Sequence, residues 1–404
     1  MVSVATATST TWDAPSGGIA RMHLVFLCNE YPPAPHGGIG SFTQTMARTL
    51  AARGHKVTVV GFYQQREDVR EDDHGVRVVR LAHARIRGMG LIINGRRLTQ
   101  ELGNIDAQSR IDIIEGPENS LALLHGFPAA VKIIRMHGGH HFFYTTLGKQ
   151  PRLWRSWLEK RSFRNADHFC GVSQFVAETT RTLLGLGRRP VEVLPNAVNV
   201  MQFRPRADIP EQRGLIIFVG TLCEKKGVRE LVQAMPRIVE SVPDARLWLV
   251  GRDSLDPQTG ASFIDQLRSS IPVTIKDHIK FRGPVEHASL PEMLARAELL
   301  VYPSHMEAIG IALIEGLAMG KGLVIGNTGP AKEVVEHGVS GLLCDPFSPA
   351  SIADAVITLL QNPPLRRQMG VRARTRAVEL FSLEKIAQRN EAFYRRCLGG
   401  NEHA

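Results

Sequence analysis

Short, continuously apolar runs alternate with helix-patterned stretches from one end of the chain to the other. In the first half the runs predict strands at Met22–Asn29, Lys56–Phe62, Val76–Leu81, Ile111–Glu115, Ala130–Met136, His168–Val172 and Val191–Leu194. In the second half they predict Leu215–Gly220, Arg246–Gly251, Ile279–Arg282, Leu299–Tyr302, Leu323–Gly326 and Gly341–Cys344. Helices fit between most of them, among them Ser41–Arg53, Arg152–Ala166, Gln174–Leu184 and Ile311–Met319. Within the strand runs apolar and polar residues do not alternate, the mark of parallel strands covered on both faces. Such alternation of strand and helix over short links builds doubly wound α/β domains.

The series is interrupted once, in the Pro-rich, polar stretch from Pro195 to Gly214. The expectation is therefore α/β, with two doubly wound parallel-sheet (Rossmann-like) domains facing across a cleft. Residues 21–200 form the first and 201–380 the second. Residues 1–20 are small and polar and read as a disordered lead, not a signal peptide. The helical tail from Pro363 to Leu398 divides at Ser382, and residues 381–404 form a last helix expected to pack back on the first domain.

Composition changes this picture little. Lys and Arg total 49 against 39 Asp and Glu, but the bases are spread along the chain and aromatics are only 6%. That distribution argues against a nucleic-acid binder and fits phosphorylated substrates or a mild attraction to anionic membrane surfaces. No apolar run is long enough to span a bilayer. Cys28, Cys170, Cys223, Cys344 and Cys397 are odd in number and lack a CxxC pair, so they read as reduced core residues. A cytoplasmic protein is expected, with at most a peripheral contact at the inner membrane face.

Open α/β sheets bind ligands beyond the carboxyl ends of their strands, so the chemistry is sought just after each run. Glu307 and Glu315 stand out there, in Pro303-Ser-His-Met-Glu307-Ala-Ile-Gly310-Ile-Ala-Leu-Ile-Glu315. The helix after Gly310 is apolar on every side except at Glu315, and a carboxylate is rarely buried without a partner. Helical side chains lean toward the N-terminus, so Glu315 can reach back toward the mouth where Glu307 sits. Free amides and the positive dipole end at that mouth suit a phosphate, and the carboxylates suit hydroxyl pairs on sugars flanking it. This reads as a nucleotide-sugar site.

Other strand ends contribute further candidates. His36-Gly37-Gly38-Ile-Gly40 opens a helix after the first strand, where a tight turn and a phosphate contact fit the glycines equally well. His137 leads His137-Gly-Gly-His140-His141. The spacing is not that of a metal site, and a hydrogen bond from His137 to substrate is favoured over a loop-capping role. Gly220-Thr221-Leu-Cys-Glu-Lys225-Lys226-Gly227 sets Lys226 at a strand–helix turn, where a cation can neutralise a departing diphosphate. Phe281-Arg282-Gly283 ends another strand and offers backbone groups to a base edge. His278 and His287 read as surface residues without partners.

Taken together these motifs resemble the family 4 glycosyltransferases, retaining enzymes of the GT-B fold, over nearly the whole chain after the lead. The most specific part is the spacing of Glu307 and Glu315, with Ala308 and Ile309 replacing the usual Pro and Phe. The resemblance implies that Glu307 contacts donor-sugar hydroxyls and Glu315 the ribose. It further implies that amides from Ile309 through Gly310 to Ile311 reach the sugar and diphosphate, and that Gly38 touches the phosphate from the first domain. His137 matches the histidine near the transferred sugar, and Pro195-Asn196-Ala197-Val198-Asn199 matches the interdomain link. One departure matters: Thr221 stands where the family carries an arginine on the diphosphate, with Lys225 or Arg252 placed to compensate.

The implied activity is transfer of a hexose-type sugar from a nucleotide diphosphate sugar, UDP-linked or else GDP-linked, to an acceptor hydroxyl. The acceptor class is a saccharide, a lipid-linked molecule or a small natural product, read by first-domain loops such as Ala84–Gly95 and His140–Pro151. Neither a metal nor another cofactor is called for. The competing readings are an epimerase or phosphorylase of the same fold, and a non-catalytic nucleotide-sugar-binding protein.

Overall fold

The computed structural model describes residues 21–84, 89–127, 129–256 and 259–399. The lead 1–20, part of the Ala84–Gly95 loop and the last five residues lie outside them.

Among the described residues, fourteen strands form two sheets. The first holds β1 His23–Leu27, β2 Lys56–Tyr63, β3 Val69–Asp73, β4 Val76–Ala82, β5 Ile113–Gly116, β6 Val131–Met136, β7 His168–Gly171 and β8 Val191–Val193. Its order is β3-β4-β2-β1-β5-β6-β7-β8. The second holds β9 Leu215–Val219, β10 Arg246–Val250, β11 Ile279–Gly283, β12 Leu299–Tyr302, β13 Gly322–Gly326 and β14 Leu342–Cys344, in the order β11-β10-β9-β12-β13-β14. Every pairing is parallel except β3 with β4. All residues of β1, β12 and β13 are buried, as continuous apolar runs require of strands with helices on both faces. This is the two-sheet architecture expected from the sequence.

The predicted strands appear within a few residues of their expected limits, and β3 is an addition. Its sequence, VREDD, is solvated and carries no apolar pattern. It exists because His74 and Gly75 both adopt positive φ, 53° and 83°, making the two-residue turn that folds an edge strand back on β4. The tail breaks as expected, into helices Pro363–Leu380 and Leu383–Gly399, with Val198 of the link bridging to Ser382.

The helix Leu383–Gly399 packs on the first sheet. Arg53 holds Glu391 and Glu384, and buried Asn390 and Tyr394 join Arg135 and Glu115 below β5 and β6. The two halves also meet directly. Glu333 accepts the amides of Gln174 and Phe175, at 2.7 and 2.8 Å, capping the helix Gln174–Leu184 from the opposite domain. Ser173 Oγ donates to the Ala308 carbonyl (3.2 Å), and Asn196 Nδ2 donates to the Ile309 carbonyl (3.0 Å). These contacts bring the loops at both sets of strand ends against each other. All five cysteines carry free thiols, four of them buried.

Candidate active site between the two sheets

The site begins where β9 and β12 end. Beyond β9 the chain makes a single tight turn, Glu224–Lys226, and Gly227 follows at φ 66°. A Cβ on Gly227 would lie 1.9 Å from the Pro303 carbonyl oxygen, so only glycine lets this turn press on the loop after β12. His305 N–H donates to the Lys225 carbonyl (2.9 Å), and the Lys226 ammonium then falls directly on the Glu307 carboxylate.

Lys226, Glu307, Ile309 and Gly310 line one pocket, with Tyr302, Leu313 and Thr328 on its walls. Burial works against charge on Glu307. The Lys226 ammonium, helped by Lys225 and the Ser304 hydroxyl, outweighs it and holds the carboxyl below its usual range. Gly310 caps the helix Ile311–Ala318 without a side chain, and the amides of Ile311 and Ala312 meet no acceptor among the described residues.

Glu315 lies one turn further on. It is 3% exposed, outside the lining of that pocket, and His287 Nε2 sits 2.6 Å from its Oε1. That contact raises the imidazole pKa despite partial burial of the ring. His287 therefore has a partner after all. The missed signal was its position: it follows β11 within the same strand-end loops that supplied the other candidates. Its ring also lies 5.2 Å from that of Phe203. His278 likewise has a partner, the Ala245 carbonyl at 2.8 Å.

From the other side, helix Gly38–Ala52 starts three residues earlier than the sequence predicts. Gly38 thus stands in its first turn, and a Cβ there would come 3.9 Å from Ile311 Cδ1, so the two helix starts face each other. The Gly37 amide is already taken: Glu30 accepts it at 3.2 Å and the Gly40 amide at 2.7 Å. A Cβ on Gly40 would overlap the Glu30 carbonyl at 2.0 Å, so that glycine is fixed by packing.

His137 presents its ring beside Phe42, centroids 5.3 Å apart, and its ring nitrogens meet no partner among the described residues. Burial, followed by the Arg135 guanidinium, pushes its pKa down to about 3, leaving a neutral imidazole. Its amide donates to Glu118 (2.6 Å), whose carboxyl burial raises to about 8. The neighbouring histidines diverge: His140 Nε2 accepts the Arg152 amide at 2.8 Å, and His141 Nδ1 meets Glu159. Among the described residues no three His, Cys, Asp or Glu side chains gather where a metal would be held.

Thr221 is exposed at the cleft, and beside it the Leu222 amide donates to the Arg252 carbonyl (2.8 Å). The Arg252 guanidinium crosses to the His36 carbonyl in the glycine loop. Lys225 points its ammonium at the Phe143 ring, 4.8 Å from the centroid. Arg282 stays apart, on β11, with its guanidinium over Trp248 at 4.5 Å.

Two family descriptions cover this chain in succession. "Glycosyltransferase Family 4" matches residues 36–202 and "Glycosyl transferases group 1" matches residues 200–376. The chain belongs to glycosyltransferase family 4. This family 4 glycosyltransferase is 27% identical to a glycogen synthase of Mycobacterium tuberculosis, over 92% of this chain and 94% of that protein. It is 26% identical to a GDP-mannose-dependent alpha-(1-6)-phosphatidylinositol monomannoside mannosyltransferase of the same species, over 92% and 98%. Sucrose-phosphate synthase from Thermosynechococcus elongatus superposes with a TM-score of 0.80 at 22% identity, over 94% of this chain and all of that one. The Anabaena protein HepE, in complex with UDP and glucose, gives 0.73 at 16% identity, over 93% and 100%. The fold is GT-B, and the chain is a glycosyltransferase.

Proposed function

We propose that this enzyme transfers a hexose-type sugar from a nucleoside diphosphate sugar to an acceptor hydroxyl with retention at the anomeric carbon and without a metal. The observation that carries this reading is the Lys226–Glu307 ion pair beside the unpaired amides of helix Ile311–Ala318, opposite Gly38. Cation and carboxylate satisfy each other in the structure. A diphosphate on the amides competes for Lys226 and releases Glu307 to accept from sugar hydroxyls. Glu315, with His287 displaced, takes the ribose hydroxyls.

As the bond to the anomeric carbon breaks, charge grows on the diphosphate, so Lys226 and the helix amides act most strongly in the transition state. The acceptor hydroxyl enters from the face the diphosphate leaves, and the departing phosphate oxygen takes its proton. Neutral His137 donates one hydrogen bond to the sugar and needs no protonation change at physiological pH. Arg252, already reaching the glycine loop, supplies the second cation that Thr221 lacks.

The nucleotide is UDP or GDP: HepE is solved with UDP and glucose, and one mycobacterial relative is a GDP-mannose enzyme with a lipid acceptor. The test is calorimetric titration with UDP and GDP, followed by donor hydrolysis and transfer across an acceptor panel. Arg252→Ala should weaken nucleotide binding about tenfold or more. Epimer formation without any acceptor, or binding without turnover on every acceptor, would overturn the transferase reading.

A further inference from the structure

Helix Leu153–Arg164 buries Leu158, Glu159, Ser162 and Phe163 and turns its opposite stripe outward. That stripe begins with Leu153, Trp154 and Trp157, which are 89%, 56% and 53% exposed, and continues into Lys160 and Arg164. Single exposed apolar residues need no explanation, but three large ones within five positions make a patch. Two of the chain's four tryptophans are in it.

Its charge is equally one-sided. Lys149, Arg152, Arg155, Lys160, Arg161 and Arg164 surround the patch, and among the described residues none pairs with a carboxylate. Elsewhere among the described residues about half of the arginines do pair, as at Arg48, Arg80 and Arg97. The helix's one acid, Glu159, is buried on the inner face against His141. The guanidiniums of Arg155 and Arg161 lie over Trp154 and Trp157, 5.3 and 5.6 Å from the ring centroids, and Arg161 Nε also donates to the Ala122 carbonyl (2.7 Å).

We propose that this face docks on an anionic lipid bilayer. Trp154 and Trp157 sit at the headgroup level, Leu153 enters the acyl boundary, and the ring of bases binds lipid phosphates. An acidic protein or a nucleic acid would answer the charge but not the outward leucine beside two indoles. Arg152 and Glu159 connect the helix to His140 and His141, so docking sets the loop that follows His137 next to the membrane.

The experiment is co-sedimentation of the full chain with vesicles of phosphatidylcholine alone and of phosphatidylcholine mixed with phosphatidylglycerol. Quenching of tryptophan fluorescence by lipids brominated on their acyl chains is measured alongside. Binding is expected only to the anionic vesicles, falling with added salt, and about tenfold or more weaker in L153S/W154S/W157S and in K160E/R164E. Both variants alter exposed side chains, so they should melt with the parent and bind UDP or GDP unchanged. Absence of binding by the parent at low salt, or full binding by the triple variant, overturns the proposal. So does a dimer in light scattering that the triple variant dissolves, which assigns the patch to a second copy of the chain. Vesicle binding needs no donor, so it stands or falls separately from the transferase reading.

Discussion

Two carboxylate–cation pairs, Glu115–Arg135 and Glu307–Lys226, lie at the ends of strands in this molecule, and only one of them is free to react to a ligand. In the first, Arg135 grips Glu115 with bonds of 2.7 and 3.2 Å, donates also to Asn390 and to the Leu194 carbonyl, and Tyr394 adds a bond to Glu115 at 2.9 Å. Both side chains are almost wholly buried, 1% and 3% exposed. In the second, Lys226 and Glu307 are 22% and 24% exposed, and Ser304 (3.2 Å) is the one further side-chain donor to Glu307 among the described residues. A saturated buried pair holds elements together. An undersaturated pair at a cleft can exchange partners.

The largest expected effect tests the structural half of this contrast. Arg135→Met leaves Glu115 buried without its cation and loosens Asn390 and Tyr394 of the last helix. That should cost about 3–5 kcal/mol in urea or thermal unfolding. Glu307→Gln should move stability by less than about 1 kcal/mol, because its pair is part-exposed and still solvated. Equal destabilisation by the two variants would erase the distinction.

The functional half gives the next effect. Glu307→Gln and Lys226→Ala should each slow transfer about 10²–10³-fold while their melting curves stay with the parent, since each removes an interaction that grows in the transition state. The split should differ, with Lys226→Ala also raising the donor KM and Glu307→Gln lowering mainly kcat. A parent-like rate in either variant removes that residue from the site.

Which half was legible in the sequence follows from the same physics. Glu307, Glu315 and Lys226 stood out as candidates because each places a charge in or beside an apolar strand–turn–helix pattern at a strand end. The sheets were legible because buried parallel strands are apolar throughout. Strand β3 was not, because an edge strand of Val-Arg-Glu-Asp-Asp relies on a turn at His74–Gly75 and not on burial. Nor was the His287–Glu315 contact, which joins positions 28 residues apart, one after the edge strand β11 and one on the helix after β12. Arg252 was named only as a substitute, and its reach to the His36 carbonyl depends on how the two halves face each other. Long-range partners of this kind leave no local period to read.

Glu315 sharpens the comparison from the binding side. Like Glu115 it is buried, yet its one side-chain partner among the described residues is a half-exposed histidine, which on the proposed reading a ribose replaces. Glu315→Gln should therefore weaken UDP or GDP binding by about tenfold, the loss of a charge-assisted hydrogen bond, with little change in kcat at saturating donor. A kcat loss matching that of Glu307→Gln would make the two acids one functional unit.

The smallest expected effect is a pH dependence at this contact. The Glu315 carboxylate raises the His287 pKa above its ordinary 6.5, against the opposing effect of burial. A raised folded-state pKa contributes stability that is fully present below the unfolded value and is lost as pH rises through the folded one. Melting temperature should thus decline slightly over that interval, and His287→Gln should flatten the decline. Nucleotide binding should run the opposite way. Protonated His287 competes with the ribose for Glu315, so affinity should increase slightly as the imidazole loses its proton. Calorimetry in buffers of different ionisation enthalpy should then register proton release on binding between the bound-state and free-state pKa of His287, and none well below or well above that interval. If affinity instead falls as pH rises, His287 assists the nucleotide directly, and the contact with Glu315 persists in the bound enzyme.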